Sequence, residues 1–483
     1  MATTLERYHE AASRLDALID MTPTPADTSR TAIQARAVER MERLRRFLRR
    51  LGDPHVGYPI IHIGGTSGKG STSTALAAIL TEAGYHTGLH TSPYLQTPAE
   101  KLQLDGALIA PERFIALADE ILAEHDRWLA DGEPPLTYGE AWNALTWLFL
   151  SREQVDVAVV EVGAGGRFDL TNILSPTLSI ITSVGIDHVQ TLGPTIEQIA
   201  WHKAGIIKPG IPALSVVPDP VARRVIAEEA AHVRAPLTQI DLSARIAAVC
   251  TGPDGTRWHD GPTGRTWRTA MPGSFQARNG AAALAAAHLL RTRGFTIPDD
   301  AIARGLLRAR IPGRAELVPD RVPVLLDGAH NAEKIAALAA DVPALLPRRP
   351  GARRIGVVGV LDAKQGDEML RSIVPVLDFL IATAPRVLAK EPRDAGRLAE
   401  SAREAGFDGE IAIEPEPMQA IARAMAAADA AAGDAVLVTG SLYLVGNVRE
   451  RWYPEAAIVE AQSPWPTARV GAHVGRTPDG TAP

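Results

Sequence analysis

Of the 483 residues only Cys250 is a cysteine, so no intrachain disulfide can form and a reducing compartment is expected. Charge of one sign is lacking too, since 50 Lys and Arg stand against 56 Asp and Glu, a formal net charge of −6. No overall field would draw nucleic acid or an anionic membrane, and any anionic ligand must be held by local groups. Apolar runs are short; even the alanine-rich residues 280–290 fall well below the roughly 18 needed to span a bilayer. The opening Met1-Ala-Thr-Thr-Leu-Glu-Arg7 lacks the form of a signal peptide, and these absences together predict a cytoplasmic protein. What remains is 46% hydrophobic, enough for two or three globular domains, each with its own core.

Those residues alternate in pattern along the chain. Residues 1–50 read as helix, with apolar positions recurring through Met41, Leu44, Phe47, Leu48 and Leu51. Arg40, Arg43, Arg45, Arg46, Arg49 and Arg50 share this stretch with Glu39 and Glu42, and the interleaved acids favour a solvated helix face over a nucleic-acid surface. Strand-like runs follow at 58–63, 155–162, 177–184 and 211–217, separated mostly by helical patterns. That alternation argues a mainly parallel sheet with helices packed on it. Residues 240–275 break the pattern with Gly, Pro, Thr and Trp around short polar turns, as a small β excursion would. After Arg310-Ile-Pro-Gly-Arg314 a second α/β series begins, with strands expected at 322–326, 354–360, 379–383 and 435–439. The Pro312-Gly313 pair marks a boundary or hinge. The division expected is a first domain over 1–310, excursion included, a second over 311–460, and a tail over 461–483, where Pro, Gly, Ala and Thr dominate without periodicity.

The most informative segment runs from 58 to 80, where a buried strand leads into Gly65-Thr-Ser-Gly-Lys-Gly-Ser71 and then into an alanine-rich helix. Glycines let main-chain N–H groups wrap a phosphate chain, the helix mouth adds its positive end, and Lys69 neutralises the terminal phosphates. Gly65, Thr66, Ser67, Gly68, Lys69, Gly70 and Ser71 are therefore expected to cradle a nucleoside triphosphate. The loop departs from the GxxxxGKS/T pattern: Ile63 stands at the first glycine and Gly70 follows the lysine. The Mg²⁺ that ATP requires needs oxygen ligands. Glu161 supplies one at the end of an apolar strand, at the carboxyl edge where open α/β sheets hold ligands; Asp187 and His188 follow the next strand. Arg314 is a guanidinium suited to bidentate phosphate recognition, and Asp327-Gly-Ala-His-Asn331 follows the first strand of the second domain. Taken alone, Asn279 and Asp169 could cap helices and residues 327–331 could be a plain turn.

The loop at 65–71 resembles that of the Mur ligase superfamily, most closely its folylpolyglutamate synthase and dihydrofolate synthase branch, and the other motifs recur in that family's order from about residue 5 to 455. The resemblance implies an α/β protein, a P-loop parallel-sheet ATPase domain followed by a smaller Rossmann-like α/β ligase domain. It assigns the metal to Ser92 of Thr91-Ser-Pro93, Glu161 and His188. It assigns adenine to Asn279, ATP from the far side to Arg314 and Asp327, and the neighbourhood of the transferring phosphate to His330. Lys203 in Trp201-His-Lys-Ala-Gly205 matches a lysine commonly carbamylated in the family, a change that turns a cation into an extra anionic ligand; His202 replaces the usual Glu. Substrate contacts are implied for Thr137 and Asp169. Three positions depart from the pattern: Gly139 where an aromatic is usual, Tyr94 for His and Lys101 for Arg. Tyr138 or Trp142 could supply stacking instead, or belong to the core.

The reaction implied is ATP-dependent amide ligation. Lys69 and Mg²⁺ position ATP, a substrate carboxylate attacks the γ-phosphate, and the amine of L-glutamate captures the acyl phosphate. Lys69, His330 and Lys203 are the expected catalytic residues, a folate or dihydropteroate and L-glutamate the expected substrates, and the chain is expected to act as a monomer without nucleic acid or membrane. Two other readings stay open: a relative joining a different acid and amine, and an ATP-binding module that closes without making a product. A pure binder has no need of Lys69, Glu161, His188 and His330 together.

Overall fold

The β-branched runs become strands of two separate, mostly parallel sheets. A computed structural model describes residues 2–19, 27, 29–362, 366–387 and 390–466. The first sheet holds β1 Ile60–Gly64, β2 Thr87–His90, β3 Leu102–Leu104, β4 Ala107–Leu108, β5 Val157–Glu161, β6 Leu178–Ile181, β7 Ala213–Ser215 and β8 Leu237–Gln239. Their order is β4-β3-β2-β5-β1-β6-β7-β8. All neighbours from β2 to β8 are parallel, whereas β3 and β4 fold back as an antiparallel edge. β1 and β5 lie side by side at the centre and are buried throughout. Alternate residues feed two cores: Ile60, Ala158 and Val160 face one, Ile61, Ile63, Val157 and Val159 the other. Burial on both faces is why these strands read as nearly continuous apolar runs, broken in β1 by the buried His62.

The helix following β1, α3 Lys69–Glu82, packs against the helices Phe275–Arg291 and Asp299–Arg308. The alanines of the former are buried, so its small side chains are what allow close helix packing. Between these layers the excursion forms a three-stranded antiparallel sheet, β9 Ile246–Gly252, β10 Gly255–Asp260 and β11 Arg265–Thr269, with Trp258 opposite Trp267 on its buried face. The second parallel-rich sheet comprises β12 Glu316–Val318, β13 Val324–Leu326, β14 Arg354–Val358, β15 Phe379–Ala382, β16 Glu410–Ile413 and β17 Ala435–Thr439, ordered β12-β13-β17-β14-β15-β16. Only β12 runs antiparallel to its neighbour.

Two expectations change. The N-terminal stretch is two helices, α1 Thr4–Asp16 and α2 Arg30–Arg50, lying near α4 Pro111–Ala130 and α5 Tyr138–Arg152. Arg49 and Arg50 are exposed and Arg40, Arg45 and Arg46 partly so, as a solvated face requires, but one arginine departs from it. Arg43 is buried and donates twice to the buried Glu140, 2.8 Å each; Arg46 pairs with Glu133, and Arg50 with Glu124 and Asp131. At the other end, residues 462–466 are folded rather than part of a tail. Leu108 N–H donates to Gln462 O (2.8 Å), the buried Arg449 donates to Pro464 O (2.7 Å), and Trp465 Nε1 donates to Glu316 (2.8 Å). The rest of the expected tail lies outside the described residues. Among the described residues no helix is long and apolar enough to cross a membrane.

Candidate active site

From the end of β1 the chain turns through 65–68 into α3. Gly68 takes φ +83°, and a Cβ there would lie 2.3 Å from Asn279 Oδ1, so only glycine lets the loop pass beneath the helix Phe275–Arg291. The loop is braced from behind by the chain leaving β6. Thr182 Oγ1 donates to Ser67 O (2.7 Å), Ser67 N–H donates to Ser183 Oγ (2.7 Å), and Thr66 N–H donates to Ser183 O (3.0 Å). Sequence reasoning misses Thr182 and Ser183; two hydroxyls directly after a strand that neighbours the loop are the available signal. α3 has no side-chain cap, and its first N–H groups stay available at the cavity, as an anion site requires.

Lys69 opens α3 and lies 3.8 Å from Glu161 Oε1 at the end of β5. The other oxygen of Glu161 accepts from Ser92 N–H at 3.2 Å. Glu161 is buried, not a solvated strand-end acid; burial pushes its carboxyl up, against the pull of Lys69 and the Ser92 N–H. A carboxylate so poorly hydrated needs a cation, and with the Ser92 hydroxyl lining the same cavity its donor chemistry suits a hard divalent ion. Among the described residues no three His, Cys, Asp or Glu side chains converge as a metal cluster, while the expected Ser92, Glu161 and His188 line one cavity. Ser92 reaches Glu161 through its main chain, while His188 is half-exposed, takes φ +51° and lies 3.9 Å from Asp187. Lys203 is buried along the same wall. Burial brings its ammonium down to about 7, Lys69 and Lys334 adding repulsion and Asp187 opposing.

The second sheet contributes the facing wall. Asp327, just past β13, is buried and accepts from Ala315 N–H (2.7 Å) and Ala329 N–H (2.8 Å), tying the interdomain linker to its own loop. Burial pushes its carboxyl up, with Arg314 opposing. His330 Nδ1 lies 2.8 Å from Gly328 O and its Nε2 3.2 Å from Lys334 Nζ. A carbonyl on one side and an ammonium on the other assign the proton to Nδ1. Lys334, four residues beyond His330, is a further residue that sequence reasoning misses; its spacing into the first turn of the helix Ala332–Leu345 is the clue.

One cavity of about 1140 Å³ is lined by 65–71, Ser92, Glu161, His188, Lys203, Asn279, Arg314, Asp327 and His330. That exceeds the roughly 300–1,000 Å³ of a single small-molecule pocket and leaves room for more than one substrate. Asn279 caps nothing; it lies inside its helix, its Nδ2 donating to Gln276 at 2.8 Å. Two predicted substrate contacts, Thr137 and Asp169, adjoin this lining. Thr137 caps α5, its hydroxyl donating to Glu140 (2.7 Å) and accepting from Glu140 N–H. Asp169 accepts from Thr171 N–H and from Ala164 N–H, 2.9 Å each, so both its oxygens hold the 164–171 loop. Thr137 stands beside the cavity-lining Tyr138 and Asp169 against Gly163, each also making local hydrogen bonds. Of the two stacking candidates, Tyr138 lines the cavity and Trp142 is buried beneath it.

Comparison with known proteins agrees with this arrangement. Residues 63–287 match the Mur ligase middle domain and residues 313–442 the Mur ligase glutamate ligase domain. A Bacillus subtilis protein named dihydrofolate synthase/folylpolyglutamate synthase is 35% identical over 423 residues, 85% of this chain and 94% of the relative. Mycobacterium tuberculosis folylpolyglutamate synthase, solved with ADP and AMPPCP, superposes with a TM-score of 0.78 at 28% identity, covering 92% of this chain and 98% of that one. A bifunctional folylpolyglutamate synthase/dihydrofolate synthase solved with Mn, AMPPNP and L-glutamate gives 0.69 at 30% identity, covering 85% and 93%.

Proposed function

The chain belongs to the folylpolyglutamate synthase and dihydrofolate synthase family of Mur ligases, and from that premise we propose that it uses ATP to join L-glutamate to the carboxylate of a folate or of dihydropteroate. The observation that carries this reading is the single cavity shared by the phosphate loop of the first sheet and Arg314, Asp327 and His330 beside the second. ATP lies with its triphosphate on the N–H groups of 65–71 and on Lys69, its adenine beside Asn279, and Arg314 meeting the phosphates from the other side. The acceptor carboxylate attacks the γ-phosphorus and ADP leaves. The amine of L-glutamate then attacks the acyl carbon, loses a proton, and phosphate departs as the amide forms. Such chemistry needs positioning and charge neutralisation, which suits a wall carrying Lys69, Arg314 and Lys334. His330, held in one tautomer by Gly328 O and Lys334, orients groups at the transferring phosphate.

Glu161, with Ser92 and His188, would hold Mg²⁺, which supplies neutralisation of the β- and γ-phosphate oxygens. Lys203, near 7, carries a substantial neutral-amine fraction at physiological pH, the form that adds CO₂; this supports carbamylation there. The single cysteine supports a reducing, cytoplasmic setting.

The test is a mass-spectrometric product screen with ATP, Mg²⁺ and L-glutamate, offering dihydropteroate or a reduced folate. Growth of either acceptor by one glutamyl unit is expected. Product only with a muramyl or other acid would replace the folate reading with that of a different Mur-type ligase, and ATP binding without any product would leave a binding module.

A further inference from the structure

Asp341 ties the two α/β bodies together beside the cavity. It belongs to the helix Ala332–Leu345, on the stripe that Lys334 and Ala337 begin, since residues i, i+3 and i+7 share one helix face, and those two line the cavity. Its side chain is buried, and Oδ2 accepts twice from Ser274 of the other body, from the N–H at 2.6 Å and from the hydroxyl at 3.0 Å. Burial pushes the Asp341 carboxyl up, and the two bonds from Ser274 oppose. Ser274 is placed for this contact by its surroundings. It precedes the helix Phe275–Arg291, yet its hydroxyl does not cap that helix. Gly273 before it takes φ +104°, a turn that favours glycine. The β9–β10 hairpin holds that glycine from both sides: its N–H donates to Thr251 Oγ1 (2.8 Å) and its carbonyl accepts from Thr256 Oγ1 (2.9 Å). Phe275, after Ser274, packs against the core beneath the second sheet. The antiparallel excursion thus presents residues 273–275 to the second body, where the Asp341 carboxylate meets the positive end of a 17-residue helix.

The energetics decide what such a contact does. Withdrawing the carboxylate from water offsets much of what two hydrogen bonds return, so the tie adds little net stability. A closure out of register, by contrast, leaves a buried carboxylate without donors, which is strongly unfavourable. The contact therefore selects one relative placement of two helices. One passes over the phosphate loop at Asn279; the other carries Glu333 and Lys334 in its first turn, directly after His330. Resting on the ligase reading above, we infer that Asp341 is a positioning residue for the phosphoryl transfer. By accepting from Ser274 it sets the register in which the His330–Lys334 wall meets the terminal phosphate of a nucleotide held on 65–71.

Two nucleotides separate this role from a structural one. ADP rests mainly on 65–71 and the Asn279 helix, whereas AMPPNP carries a third phosphoryl group that reaches the facing wall. The ratio of their affinities, read by calorimetry on the full chain with Mg²⁺, therefore reports the register. Asp341→Ala is expected to weaken AMPPNP about tenfold and ADP less than about threefold, and to lower kcat about tenfold to a hundredfold with every acceptor, as a small misplacement of reacting groups implies. Asp341→Asn, which keeps an oxygen for the Ser274 N–H, is expected to recover most of both. Ser274→Ala is expected to give a smaller loss of the same pattern and to add almost nothing in the Asp341→Ala background. Asp341→Leu, closer in volume, replaces the Ala variant if that one does not fold. Equal weakening of ADP and AMPPNP, a wild-type kcat in the neutral variant, or additive effects of the Ser274 and Asp341 substitutions overturn the assignment. A wild type that binds both nucleotides but makes no product is the failure of the ligase reading, and the affinity ratio then still decides whether Asp341 sets the register.

Discussion

The two ends of the cavity are built on opposite plans. At the end proposed above for the nucleotide the wall is main chain and glycine turns from one short stretch, 65–71, braced by the Thr182 and Ser183 hydroxyls. At the far end the lining is side chains, Tyr94, Lys101 and Tyr138, brought together from separate segments. A triphosphate is the same in every turnover and can be read by the path of the backbone alone. An acceptor differs from its near relatives by single functional groups, and only side chains discriminate at that grain.

This contrast can be tested at both ends. Lys69→Met should cost about 10³-fold or more in kcat with every acceptor, since it removes a charge realised on the transferring phosphate. A loss confined to one acceptor would erase the distinction between the ends. His330→Ala should cost about 10²-fold, again regardless of acceptor, in the same product assay.

Lys203 gives a pH signature. Its ordinary value is 10.5 and burial brings it to about 7, so the neutral amine predominates above pH 7. Enzyme stripped of CO₂ should regain activity with bicarbonate, the response growing about tenfold from pH 6 to pH 8 as the neutral fraction rises. The same depression makes the unfolded chain bind the proton more tightly than the native one between pH 7 and 10.5. Stability contributed by this group therefore rises with pH from about 7 to 10.5, and a urea titration series reads the slope. A bicarbonate response that is flat with pH would detach Lys203 from carbamylation. The smallest effect concerns Thr137: Thr137→Ala should lower stability by about 1 kcal/mol through the lost cap, with the ratio of acceptor efficiencies preserved. A shift in that ratio would return Thr137 to the acceptor site.

The same division governs how much of the molecule is legible in its amino-acid sequence. The phosphate loop is a contiguous string with a mechanism, and the central strands β1, β5, β14 and β17 are mostly apolar runs, so the α/β class and the phosphate loop can be read directly. The short or edge strands β2, β3, β4, β8, β12 and β16 cannot; pairing with neighbours, not their own pattern, makes them strands. Arg43 reads as a solvated residue because its partner Glu140 lies 97 residues away, beyond any helical periodicity. Thr137 and Asp169 are ambiguous for a converse reason: their neighbours in sequence, Glu140 and Thr171, use the same oxygens that a substrate contact would. Lys101 stands out in the sequence as a departure, but its aromatic surroundings exist only in three dimensions.

The folded C-terminal residues have a mechanical consequence. The two α/β bodies are joined covalently once, through the linker at 310–314, and a single flexible link would leave several rotations free. A second attachment runs from Leu108 through Gln462 to Pro464 and Trp465, which are anchored to Arg449 and Glu316, and is reinforced where Glu455 meets His9 (2.7 Å) and Thr97 (3.0 Å). A third attachment is Ser274, whose N–H and hydroxyl donate to Asp341 Oδ2 (2.6 and 3.0 Å). Three ties fix the bodies against each other in more than one direction, and cutting the chain after 461 rather than after 466 would remove one of them.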